Sequence, residues 1–232
     1  HLAAMNRNDN PQLIYDTNIS LVDKLISSCQ DSNSKPHILF SSSSQENQDN
    51  LYGKSKKAGK KLFHKWSIEN NTKFTGLIIP NVFGPFGKPF YNSVVATFCH
   101  QLVNNEVPTV IKDGDLKLIY VGDLVREIIL KIEEGTNEES YIISHKKTIK
   151  VSNLLEKLKG FKKTYVNNNE IPALNDNFEI NLFNTFRSFI DIENHFPVKY
   201  TKHSDTRGSF VELLRLGIGG QVSFSTTKPN IT

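Results

Sequence analysis

The chain has 232 residues, 38% of them hydrophobic and 22% charged, a composition that suits a globular protein of one large domain or two small ones. A net charge of +4 suits an anionic ligand but is too small to argue for a nucleic-acid partner. No apolar run approaches the roughly 20 residues that span a bilayer, and no basic-then-apolar leader opens the sequence, so neither a membrane partner nor secretion is expected.

In chain order, His1–Ala4 reads as the end of a strand. Pro11–Cys29 reads as a helix with Ile14, Leu21, Leu25 and Ile26 on one face. Pro36–Ser41 is a short apolar strand running into serines, and Leu51–Glu69 is a second helix carrying Leu62, Phe63 and Trp66. Strand Lys73–Ile79 is closed by Pro80. Helix Tyr91–Leu102 follows, then strand Leu116–Val121, helix Asp123–Glu134 and strand Tyr141–Ser144. Ser152 is placed to cap a helix Asn153–Lys159, and Gly160 to stop it. Cys29 and Cys99 match no metal or disulfide spacing and sit in apolar helical patterns, which predicts two buried thiols in a reducing compartment, the cytoplasm.

Strands alternating with helices imply an α/β fold, a doubly wound parallel sheet with function at the carboxyl ends of its strands. Ser41–Ser44, Asn81–Gly84 and Gly122–Asp123 lie at such ends. After Gly160 the texture changes. Asn-rich loops flank Pro172, and Phe178, Leu182, Phe186 and Phe189 recur at helical spacing. From Pro197 the pattern is β-like, with Gly208–Leu213 and Gln221–Ser225 reading as the first hairpin of an all-β domain.

One constellation carries chemistry. Tyr52 and Lys56 are spaced to share a helix face. A phenol with an ordinary pKa near 10 is a poor acid–base catalyst at neutral pH. A neighbouring ammonium favours the phenolate and brings the group toward its working range. The same lysine can hold a ribose hydroxyl of a dinucleotide, and a serine at the preceding strand end can hydrogen-bond a reacting carbonyl. The lysine-rich run Lys54, Lys56, Lys57, Lys60, Lys61 is read as a solvated helix face with one lysine turned inward.

The stretch Ile38-Leu39-Phe40-Ser41-Ser42-Ser43, followed by Tyr52-Gly53-x-Ser55-Lys56, resembles extended short-chain dehydrogenases/reductases. So do His1-Leu2-Ala3-Ala4, Tyr15-Asp16-Thr17-Asn18, Pro80-Asn81-Val82-Phe83-Gly84-Pro85 and Tyr120-Val121-Gly122-Asp123, all in family order. The resemblance implies Tyr52 as acid/base, Lys56 as its support, Ser43 orienting the carbonyl, and Asn18 as the structural asparagine of the catalytic set. It implies Ala3, Ala4, Ser41, Tyr52, Lys56 and Pro80 at the cofactor, and Ser43, Asn81 and Asn92 at a nucleotide-sugar.

A narrower resemblance rests on Pro80–Gly84 with Lys88-Pro89-x-Tyr91-Asn92-Ser93-Val94 through His100, and on Asp205–Glu212, Gly220–Ser223 and Lys228–Thr232. It is to capsule and O-antigen reductases that carry a C-terminal cupin domain. This implies NADPH-dependent reduction at C4 of a UDP-2-acetamido-2,6-dideoxy-4-ketohexose, zinc in the cupin part, and epimerisation at C3 there. A homodimer formed through Pro11–Cys29 and Leu51–Glu69 is also implied.

The expected organisation is a reductase domain over 1–160, a connector with an amphipathic helix over 161–196, and a cupin beginning over 197–232. His1 is not Met, no Gly-x-x-Gly-x-x-Gly or Gly-x-Gly-x-x-Gly turn occurs, and cupin metal ligands are missing, so the expectation is an internal fragment of a longer enzyme. A nucleotide-sugar 4-epimerase or dehydratase would use the same serine, tyrosine and lysine. A non-catalytic binding or regulatory protein on this scaffold is the alternative from another class.

Overall fold

The computed structural model describes residues 1–229. The Asn230–Thr232 end of the cupin-like match lies outside them. The chain divides into two compact units, one of residues 1–83, 90–93 and 115–149, the other of residues 84–89, 94–114 and 150–232.

In the first unit, helix α1 (Pro11–Asp31) starts with Pro11 in its first turn behind Asn10, whose side chain accepts from the Gln12 N–H at 3.0 Å. Strand β1 (Ile38–Ser43) leads to α2 (Leu51–Glu69), capped by Asn50, which accepts from the Gly53 N–H at 2.7 Å. Strands β2 (Phe74–Ile79) and β3 (Asn81–Phe83) follow, separated only by Pro80. Beyond α3 (Val94–Val103, in the second unit), β4 (Asp115–Tyr120) runs directly into α4 (Val121–Glu133), then β5 (Glu138–Ile142) and β6 (Lys147–Lys150).

The strands form two sheets of order β1-β2-β5 and β3-β4-β6. The β1–β2 ladder is parallel, from Ile38 opposite Phe74 to Ser43 opposite Ile79, and β2–β5 and β3–β4 are parallel too. A parallel α/β architecture is therefore present, as the alternation predicts. One core joins Val22 and Cys29 of α1 to Ile38 and Phe40 of β1, Phe63 and Trp66 of α2, and Phe74 of β2. A second contains Leu77, Ile119, Leu124 and Ile143. Helices α1 and α2 pack on each other across Gly59, where an added Cβ would lie 3.0 Å from Val22 Cγ2. The indole Nε1 of Trp66 has no hydrogen-bond partner among the described residues.

In the second unit, α3 packs with α5 (Val151–Phe161) and α6 (Asn177–Arg187), with Phe161 edge-on to Phe183 at 5.2 Å. Strands β7 (Glu170–Ile171), β8 (Lys202–Ser204), β9 (Gly208–Leu216) and β10 (Gln221–Thr227) form one sheet. A short helix α7 (Ile192–His195) precedes β8. The β9–β10 pair is the expected antiparallel hairpin, but β9 also pairs antiparallel with β8 and parallel with β7. The described residues make a small four-stranded sheet and no barrel.

Several boundaries depart from the sequence reading. Ser152 does not cap α5. Lys150 holds that position, and Asp113 accepts from the Ser152 N–H at 2.8 Å and its hydroxyl at 2.9 Å. Gly160 does not end the helix. Burial of Phe161 against Phe183 and Phe186 draws it onward into a π-helical turn, Lys162–Asn167. Helix α3 starts at Val94 rather than Tyr91, and Phe189 lies past the end of α6. Cys29 and Cys99 are buried and unpaired, as expected. No helix of the described residues is long and apolar enough to cross a membrane.

Candidate active site

The ten candidate residues all fall in the first unit. Parallel pairing of β1 and β2 brings the serine run to the carboxyl end of the sheet, and the Asn50 cap starts α2 so that Tyr52 lies in its first turn. Lys56 is 3% exposed. Its Nζ donates to the Ser41 carbonyl at 2.8 Å and reaches the Ser41 hydroxyl at 3.4 Å. It stands 5.0 Å from the Phe40 ring centre and 5.8 Å from that of Tyr52. The Ser43 hydroxyl lies close enough to the Tyr52 phenol to favour its phenolate, and it accepts from the Gln45 N–H at 3.2 Å. Ser41, Ser43, Tyr52 and Lys56 thus converge.

The electrostatics differ from the sequence expectation. Tyr52 is held above its ordinary pKa, first by burial, with the nearby Tyr91 phenol adding to the effect and Ser43 opposing it. Burial brings Lys56 down from 10.5 to about 8. The predicted lowering of the phenol by its lysine neighbour is not seen, because the ammonium is turned to Ser41 and is itself desolvated.

The remaining candidates are placed as follows. Asn18 is buried but does not face the phenol. Its Nδ2 donates to Ser55 Oγ at 2.9 Å and to the Met5 carbonyl at 3.1 Å, and its Oδ1 accepts from the Met5 N–H at 2.7 Å. Ser55 in turn donates to the Tyr52 carbonyl at 2.7 Å, so Asn18 ties the segment before α1 to the first turn of α2. Ala3 is exposed and Ala4 half-buried in an extended segment that lies along β1, where the His1 carbonyl accepts from the Ser41 N–H at 3.1 Å. Pro80 is half-buried at the β2–β3 junction. Asn81, opposite Leu118 in the β3–β4 ladder, and Asn92 are both exposed.

Two groups escaped the sequence reading. Tyr91 accepts from the Asn6 N–H at 3.3 Å and lies close enough to Tyr52 to disfavour its phenolate. Nothing in its spacing announces this, since the sequence pattern makes it the first residue of a helix. The lysine run turns two residues inward rather than one: Lys56 and, a helical turn later, Lys60, while Lys54, Lys57 and Lys61 stay exposed. An i,i+4 lysine pair on the face that carries Phe63 was the available signal. Among the described residues no three His, Cys, Asp or Glu side chains converge as a metal site.

The NAD dependent epimerase/dehydratase family profile matches residues 1–144. The whole chain is 31% identical to a UDP-2-acetamido-2,6-beta-L-arabino-hexul-4-ose reductase of Pseudomonas aeruginosa, covering 62% of that protein. It superimposes over its full length on 63% of the capsular polysaccharide assembling protein CapF of Staphylococcus aureus, at 34% identity and a TM-score of 0.78. RMD from Pseudomonas aeruginosa, solved with NADPH, matches 70% of the chain and 65% of its own at 18% identity and a TM-score of 0.64, a likeness of fold. The chain spans a little under two thirds of the length of the first two relatives.

Proposed function

Since the chain belongs to the NAD dependent epimerase/dehydratase family, a nicotinamide-dependent group, we propose that it carries the catalytic part of a reductase that converts a 4-keto nucleotide-sugar to the alcohol with NADPH. The substrate is a UDP-2-acetamido-2,6-dideoxy-4-ketohexose. The observation that carries this reading is the convergence of Ser43, Tyr52 and Lys56 at one strand end, read beside similarity along the whole of this chain to part of a hexulose reductase.

Ser43 donates to the substrate carbonyl oxygen and holds it beside Tyr52. The Tyr52 hydroxyl, kept protonated at neutral pH by its raised pKa, gives its proton to that oxygen as the carbonyl is reduced. Lys56 fits a dinucleotide ribose: an ammonium has three donors, and Ser41 engages it from one side only. The nicotinamide, when bound, supplies the hydride. Ala3, Ala4, Ser41 and Pro80 line its approach, while Asn81 and Asn92, exposed and outside the proton path, contact the nucleotide-sugar. Asn18 keeps Tyr52 in place through Ser55. The organisation read from the sequence, a reductase part over 1–160, a connector and a cupin beginning from 197, belongs to the same proposal, as do a homodimer and a cytoplasmic location. The described residues offer no cluster of donors that would hold zinc.

The test is NADPH consumption by the enzyme with the UDP-4-ketohexose, with product identified by mass and NMR. Wild type reduces C4, and Tyr52→Phe loses on the order of 100- to 10,000-fold in kcat. Inversion of a nucleotide-sugar without net NADPH use would assign the chain to epimerases. Turnover by Tyr52→Phe within about threefold of wild type would remove the phenol from the mechanism.

A further inference from the structure

A second polar cluster lies beneath the serine turn, and the reduction scheme above does not use it. Alternation along β1 turns Ser42 to the same buried face as Ile38 and Phe40. Its hydroxyl donates to Glu46 Oε2 at 2.6 Å. Lys60 Nζ donates to Glu46 Oε1 at 2.9 Å and to Ser140 Oγ of β5 at 2.6 Å. Glu46 is 9% exposed and Lys60 5%. Gly76 of β2 leaves room for the lysine stem, since a Cβ there would come within 2.8 Å of Lys60 Cδ.

The backbone joins this cluster to the proposed site. The Glu46 N–H donates to the Ser43 carbonyl at 3.0 Å, and the Gln45 N–H to the Ser43 hydroxyl at 3.2 Å. The Ser44 N–H is anchored on Ile79 at 3.0 Å. Ser43 is therefore bracketed by Ser42 and Glu46, two residues bound to each other, and Glu46 is bound to a lysine on α2 that also reaches β5. Stability alone does not account for such a pair. Desolvating two charges offsets most of their attraction, and apolar replacements of buried ion pairs are often neutral or stabilising. What the pair does fix is the position of the turn.

We propose that Glu46 and Lys60 are positioning residues: their buried ion pair holds the turn after β1 so that the Ser43 hydroxyl stays on Tyr52. This rests on the reading of Ser43 and Tyr52 given above. The two act through the turn and touch neither substrate nor cofactor.

The experiment follows the Tyr52 phenol directly, so that it does not depend on turnover. The purified chain is labelled with ring-¹³C tyrosine, and the Tyr52 resonance is identified by its loss in Tyr52→Phe. The apolar double variant Glu46→Leu/Lys60→Met removes both charges together. Losing the Ser43 contact moves the Tyr52 titration upward by about 0.4 to 1 pH unit, the size of one ordinary hydrogen bond. In a Ser43→Ala background the same double substitution produces no further shift, because both changes act on one contact.

In the turnover assay the double variant loses kcat with little change in KM. An unshifted Tyr52 titration in a folded double variant, or a shift that persists in the Ser43→Ala background, overturns the proposal. Should the double variant not fold, Glu46→Gln keeps the shape and removes the charge. An upward shift there supports the clamp, and no shift overturns it. If the wild-type enzyme reduces no keto-sugar nucleotide, the functional reading fails, and the titration still decides the role of the pair.

Discussion

Lys56 sets a balance between function and stability that a single substitution exposes. Its ammonium is buried, and its pKa falls from 10.5 to about 8 because burial disfavours the charged form. At 1.36 kcal/mol per pH unit, that drop is a cost of about 3 kcal/mol to the folded state when the lysine is charged. Lys56→Met keeps the length of the side chain and removes the charge. The lost charged hydrogen bond to the Ser41 carbonyl takes back about 2 kcal/mol, leaving the variant about 1 kcal/mol more stable at pH 7. The folded pKa lies below the unfolded one, so the cost is fully present below about pH 8 and is relieved as pH rises from there to 10.5. Wild type therefore gains stability across that window and the variant does not, so the gap between them closes. Urea denaturation at pH 7 and pH 10 measures both quantities. A Lys56→Met variant less stable than wild type at pH 7, or a gap unchanged at pH 10, would refute the argument. The same substitution abolishes the proposed grip on the cofactor ribose, so the more stable protein is the less active one.

Reduction by wild type is expected to fall above about pH 8 as Lys56 discharges, while Tyr52, raised above its ordinary value, remains protonated there; a pH–rate profile with kcat flat past pH 10 would contradict this. Asn81→Ala, at an exposed position outside the proton path, raises KM or lowers kcat/KM without moving the pH profile, and a thermal shift with unchanged kinetics would make it a structural residue. Gly53→Ala drives a Cβ into the Gln45 carbonyl, inside the turn that carries Ser43, and so costs about 1 to 3 kcal/mol of stability and activity with it, read by denaturation and turnover together.

The parallel α/β pattern, the extent of α2 and the shared helix face of Tyr52 and Lys56 could be read from the sequence, because each rests on local periodicity or on a spacing fixed by one helix; Ser43, on the preceding strand, is singled out only by the family resemblance. The β-hairpin was legible for the same reason. What was missed depends on partners distant in the chain. The end of α5 is decided by Phe161 finding Phe183, not by the glycine before it. The state of the Tyr52 phenol is decided by burial and by Tyr91, which approaches from a segment 39 residues away. Glu46 looks like any loop acid until Lys60 and Ser42 are seen around it.

Trp66 is the only tryptophan in the sequence, and it sits 3% exposed among Val22, Phe63 and Phe74 with its indole N–H facing no acceptor among the described residues. Its emission is consequently a built-in gauge of one half of the molecule. A blue-shifted signal reports that the first unit is folded, and its loss on denaturation follows that unit alone, whereas far-ultraviolet dichroism sums the helices of both. Recorded on one sample, the two traces separate if the units melt independently and coincide if they melt as one, which measures their cooperativity without any label.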